Sequence, residues 1–158
     1  MSNELITNGY FKKGFSGWGP SDFDPKLEPH DTGNSVLLPV DAFISQQLPD
    51  LSGQTLVLRF EAKALEDADF PYVTVSVGGL NAEGYMQVSP VMVALTREWQ
   101  AFVARLFFSK PLTQCFLNVA TPRPAVQGHT AEGSEVQASL TPARIGKLSL
   151  TAHAGGQA

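Results

Sequence analysis

The side chains here that could act as acid, base or metal ligand are the carboxylates, three histidines and one cysteine. Asp22, Asp24, Glu28 and Asp31 lie close together in the chain, as do Glu66, Asp67 and Asp69. Cleaving a glycosidic bond takes two carboxyl groups on either side of it. Both clusters read as loop segments, and Asp22-Phe23-Asp24 is too short for a calcium loop. Solvated loop charges are therefore expected. His30, His129 and His153 are scattered through loops and the tail, and none stands four residues from a second ligand, so no zinc set is expected. The chain has no Gly-X-Ser-X-Gly elbow and no glycine loop of the phosphate-cradling kind. Cys115 lies in the strand-like run Gln114-Cys115-Phe116-Leu117-Asn118-Val119 and reads as a small buried hydrophobe. A non-catalytic chain is expected.

The elements that would hold these residues are strands. Val36–Val40 is short and apolar, and Pro39 marks a strand end or an edge. Phe43–Leu48 follows and stops at Pro49. Thr55–Lys63 alternates, with Leu56, Leu58, Phe60 and Ala62 expected inward. Leu65–Asp69 reads as an acidic loop. Tyr72–Val77 alternates again and is expected to end at Gly78-Gly79. Tyr85–Val93 is apolar but interrupted by Pro90. In Trp99–Phe108 the inward face is Phe102, Ala104, Leu106 and Phe108. Gln114–Ala120 and Ile145–Thr151 complete the set. Residues 121–142 are rich in Pro, Gly, Thr and Gln and read as a mobile surface loop. Within it, Glu135–Leu140 is expected to pair with the last strand. Nothing keeps a helical period. Many short strands between turn residues imply one sandwich domain over residues 1–158.

Composition narrows the partners. A net charge of −4 with no Lys/Arg run argues against nucleic acid and against an anionic membrane surface. No segment is long and apolar enough to span a membrane. Met1-Ser2-Asn3-Glu4-Leu5 lacks the basic start and apolar stretch of a cleavable signal, so a cytoplasmic location or signal-independent export is expected. The single cysteine rules out an internal disulfide.

The segment Asn8-Gly9-Tyr10-Phe11-Lys12-Lys13-Gly14-Phe15-Ser16-Gly17-Trp18 resembles the N-terminal signature of family-4/9-type carbohydrate-binding modules, Asn-Gly-X-Phe-Glu-X-Gly followed by Gly-Trp. Gln46-Gln47-Leu48, Gly53-Gln54-Thr55-Leu56 and Phe60-Glu61-Ala62-Lys63 are similar to that family's central hairpin. Trp99-Gln100-Ala101-Phe102 resembles its Trp-X-X-Phe strand. Ile145-Gly146-Lys147-Leu148-Ser149-Leu150 falls where the family has Ile-Asp-Asp-Val-X-Leu. The resemblance covers nearly the whole chain. It implies an all-β, antiparallel, jelly-roll β-sandwich of the galactose-binding-domain type. It also implies a lectin-like role toward a glycan or polysaccharide.

Two departures concern the structural calcium that members often hold near these positions. Lys12 stands in place of Glu, and Gly146-Lys147 in place of Asp-Asp. Cationic side chains where carboxylate ligands are needed imply that this calcium is lost, leaving no cofactor. For a sugar, the expected contacts are exposed aromatic faces and planar polar groups. Tyr72 and Tyr85 are the aromatic candidates, with Gln46, Arg59, Glu61, Arg105 and Asn118 as polar companions on outward strand positions. Trp18 and Trp99 are expected in the core. The alternative role is a protein-interaction or assembly domain, with a homo-oligomer or other protein partner meeting an apolar patch of Phe107 and Phe116.

Overall fold

The structure, a computed structural model, describes residues 3–123, 126–129, 135–137 and 139–153. The strands are β1 (Asn3–Glu4), β2 (Gly19–Pro20), β3 (Lys26–His30), β4 (Gly33–Leu38), β5 (Phe43–Gln47), β6 (Thr55–Ala64) and β7 (Tyr72–Leu80). They continue with β8 (Met86–Ala94), β9 (Gln100–Phe107), β10 (Thr113–Ala120), β11 (Val126–His129), β12 (Glu135–Gln137) and β13 (Ala143–His153). Two antiparallel sheets face each other. The first runs β3-β4-β13-β6-β9, with β1 also on β13, and the second runs β2-β5-β10-β7-β8. This is the expected all-β jelly-roll sandwich. Among the described residues no helix is long and apolar enough to cross a membrane.

Alternation builds the core. Leu56, Leu58, Phe60 and Ala62 of β6 face Val73, Val75 and Val77 of β7 and Leu117 and Val119 of β10, all buried. At about 25 cal/mol per Å² of apolar area, such residues supply most of the driving force for folding. Cys115 joins this cluster, and burial pushes its thiol above the ordinary value.

The signature segment closes one end of the sandwich. Asn8 has φ 56°, and its side-chain amide donates to the carbonyls of Gly14 (3.1 Å) and Ser16 (2.9 Å). Its carbonyl accepts from Trp18 Nε1 at 3.0 Å. Gly9 lies so close to β13 that a Cβ there would run into the carbonyl oxygen of Leu148. Phe11 is fully buried, its ring 5.4 Å from that of Trp18. Asn, Gly, Phe and Trp thus do structural work at these positions.

Several expectations change. Gly78-Gly79 does not end β7, which runs on to Leu80, because bare backbone is needed where Gly78 meets Gln87 and Gly79 meets Cys115. Glu28 and His30 lie on β3 rather than in a loop. β12 pairs with β11 instead of the last strand, whose two sides already carry β4 and β6. The mobility expected over 121–142 falls partly on 124, 125, 130–134 and 138, which lie outside the described residues.

Candidate functional site

The outer faces of the two sheets differ in kind. No residue in β2, β5, β7, β8 or β10 is charged or a histidine. Across the second sheet, Asn118 of β10 pairs with Ser45 of β5 on one side and Ser76 of β7 on the other. On one flank of this polar row Phe116 lies between Gln47 and Gly78. On the other, Ala120 lies between Phe43 and Thr74, and the next step along β7 is Tyr72. Asn118 and Phe116, two residues apart, share the outward face by alternation, and the β-bulge at Gln114, φ 49°, lies before both of them. Among the described residues, the side chains of Ser45, Ser76 and Asn118 make no hydrogen bond within the protein. A depression of about 450 Å³ opens where Ser45, Gln47 and Phe116 meet Thr7 and Gly19.

The outer face of the first sheet is charged and internally engaged. His30 is hydrogen-bonded to Glu61 at 2.8 Å, and its ring stacks on Trp99 with centroids 3.9 Å apart. Lys147 reaches Glu61 at 3.4 Å and is also ion-paired with Asp31. Arg144 meets Glu28 at 2.9 Å. Lys147 has φ 51° and sits in a bulge of β13 between Gly146 and Ser149. Gly146 leaves room for the His30 ring, which would be 3.0 Å from a Cβ there. The hydrogen bond and charge of Lys147 hold the Asp31 carboxyl below its ordinary value. The bond to Asp31 raises Lys147 above its own. Among the described residues, no three His, Cys, Asp or Glu side chains come together in a metal-binding group.

The seven expected ligand contacts therefore split. Tyr72 and Asn118 lie on the outer face of the second sheet. Arg59, Glu61 and Arg105 lie on the outer face of the first, on the far side of the molecule. Tyr85 stands in the β7–β8 turn, 69% exposed. Gln46 does not face outward. It is 7% exposed, accepts from the Thr7 backbone N–H at 2.8 Å and donates to the Thr7 carbonyl at 2.9 Å. The inward set of β5 is Ile44, Gln46 and Leu48, so its neighbour Gln47 is the exposed amide. Phe107 and Phe116 are on opposite sheets and cannot form one patch. Trp99 is not in the core, being half-buried against His30 with Lys63 Nζ 5.4 Å from its ring. Ser45, Ser76 and Phe43 were missed. The alternation of their strands was the signal available for them.

No protein-family model and no curated protein matches the chain. Solved structures do. A family 16 carbohydrate-binding module is 18% identical, with 92% of this chain and 98% of that one covered and a TM-score of 0.64. The module-bearing N-terminal part of a Clostridium thermocellum endo-1,4-β-D-xylanase, solved with xylohexaose, is 14% identical with a TM-score of 0.66. The enzymatically active domain of a bacteriophage CBA120 tailspike protein is 13% identical with a TM-score of 0.63. This chain spans 30% of that xylanase chain and 21% of the tailspike chain. The family-4/9 type is not singled out among these matches, but the fold itself is settled: the chain has the β-sandwich fold of carbohydrate-binding modules.

Proposed function

We propose that this chain is a non-catalytic, lectin-like module that binds an uncharged glycan on the outer face of the sheet β2-β5-β10-β7-β8. One observation carries the reading: five strands without a charge, whose outward positions set Ser45, Asn118 and Ser76 between aromatic rings. Sugar hydroxyls need unengaged hydrogen-bond partners, and the apolar face of a pyranose needs a flat ring. Both are present on this face. The carboxylates Glu28 and Glu61 of the first sheet are instead engaged by Arg144, Lys147 and His30, which leaves them less open to a ligand. The structures with this fold include modules solved with sugar chains, among them one with β-1,4-galactotriose. In this reading Tyr72 and Asn118 remain ligand contacts and Tyr85 stands at the rim. Gln46 holds the Thr7 loop, and Arg59, Glu61 and Arg105 lie outside the site.

The reading includes a scaffold held without calcium, with the Lys147 ammonium lying beside Asp31 and Glu61. A protein-binding role is favoured by a different surface, on the first sheet, where Val103 and Phe107 stand exposed. Affinity electrophoresis through gels containing neutral polysaccharides tests the proposal. Retardation that is lost in Asn118→Ala is expected. Equal mobility in every neutral gel would refute it.

A further inference from the structure

Four strands end the two main strand orders, besides the two-residue β1 on β13, and three of the four contain proline: Pro20 in β2, Pro29 in β3 and Pro90 in β8. Proline withholds a donor and blunts an edge against pairing with another strand. The fourth, β9 (Gln100–Phe107), contains none, and all eight residues are extended against β6. Its far side leaves a row of backbone N–H and C=O groups without a neighbouring strand in its sheet.

The side chains beside that edge combine exposed apolar groups with cations, whereas the exposed Met86, Val88 and Met92 of β8 have no charged residue in their sheet. Val103 is 62% exposed and Phe107 59%. Arg105 lies between them, and Arg59 of β6 is directly opposite Val103. The two arginines are thus diagonal neighbours on one face. Neither has a carboxylate partner among the described residues, although Arg144 and Lys147 on the same face do. This face carries Lys26, Arg59, Lys63, Arg105, Arg144 and Lys147 against three carboxylates, Glu4, Glu28 and Glu61, with Asp31 also beside Lys147, in a chain whose net charge is −4.

We propose that β9 is a docking edge for an extended segment of another protein in which every second residue, the set on the outer face, is in turn acidic and apolar. The segment adds as a further strand of the first sheet. Its carboxylates meet Arg59 and Arg105, and its apolar side chains cover Val103 and Phe107. Backbone pairing supplies affinity and the alternate side chains supply selectivity. Charge complementarity selects this occupant over a second copy of the chain, which would bring the same cationic face to the edge. The site lies on the opposite side of the sandwich from the glycan face and does not depend on it.

The test uses a fluorescein-labelled nine-residue peptide, Thr-Val-Thr-Asp-Thr-Val-Thr-Asp-Thr, read by anisotropy and by amide hydrogen exchange of the whole chain. Saturable binding is expected, with exchange protection gained at Gln100–Phe107. The double variant Arg59→Glu, Arg105→Glu should weaken it at least tenfold. Both positions are exposed, and an unchanged melting midpoint verifies the fold. If the variant does not fold, the wild-type protection map decides. The proposal is overturned if the peptide does not bind, if the same peptide with Lys in place of Asp binds equally well, or if protection appears elsewhere. It is overturned equally if β9 is already protected by a dimer of the chain.

Discussion

The imidazole of His30 lies flat against the indole of Trp99, centroids 3.9 Å apart and planes 22° from parallel. Its Nε2 is at the same time 2.8 Å from Glu61. The pair ties the end of β3 to the start of β9, strands at opposite edges of the first sheet. An aromatic pair adds about 0.5–1.5 kcal/mol beyond its buried area. Replacing His30 by Ala is expected to cost about 1–2 kcal/mol with the lost hydrogen bond included. It should also change the tryptophan emission, because Trp99 becomes more exposed while Trp18 does not. Chemical denaturation followed by fluorescence measures both.

Gln46 is expected to matter for stability alone. Gln46→Ala removes two hydrogen bonds to the Thr7 backbone, at 2.8 and 2.9 Å, and leaves a gap beneath that loop. A loss of about 1–3 kcal/mol is expected in urea titration. Since Thr7 borders the depression beside Phe116, sugar affinity should fall only as far as the loop loosens. Asn118→Ala is expected to behave in the opposite way, with unfolding within about 0.5 kcal/mol of the parent and much weaker binding.

The Lys147–Asp31 pair makes a pH prediction. The carboxyl of Asp31 is lowered, so its contribution is present above its ordinary value near 3.8 and is lost as pH falls through the lower folded value. Lys147 is raised, so its contribution is present below 10.5 and is lost as pH climbs through the higher folded value. The pair therefore stabilises across the neutral range and loosens at both extremes. Lys147→Met should flatten both shoulders of a plot of melting midpoint against pH. Asp31 is exposed and Lys147 half-buried, so 1 M salt should shrink the effect in the parent protein.

The proposed loss of calcium is tested by chelation. Excess EDTA should leave the melting midpoint unchanged, and added calcium should not raise it. A rise that saturates with calcium would show that a site survives despite Lys12 and Lys147.

The strands were readable because inward and outward residues largely alternate in β6, β7, β9 and β10 and the flanking turns carry Gly or Pro. Short β1 and β2 and the polar strand β3 gave no such signal, since partner strands rather than apolar patterning hold them. The site was less readable for a related reason. Alternation tells inward from outward but not which sheet a strand joins, so Arg59 and Asn118 looked equivalent although they point away from opposite sides of the molecule. Gln46 misled because amides are ordinarily surface groups, and only the distant Thr7 backbone explains burying one. Trp99 misled in the reverse sense, because an indole suggests core until the nearby His30 is seen.

The most direct measurement of the central claim is an amide-resonance footprint of the whole chain titrated with neutral oligosaccharides such as xylohexaose or galactotriose. Saturable shifts should gather at Ser45, Gln47, Tyr72, Ser76, Phe116 and Asn118 and disappear in Asn118→Ala, while Arg59, Glu61 and Arg105 stay still. Shifts confined to the charged face of the first sheet, or a response only to uronate-bearing chains, would contradict the account.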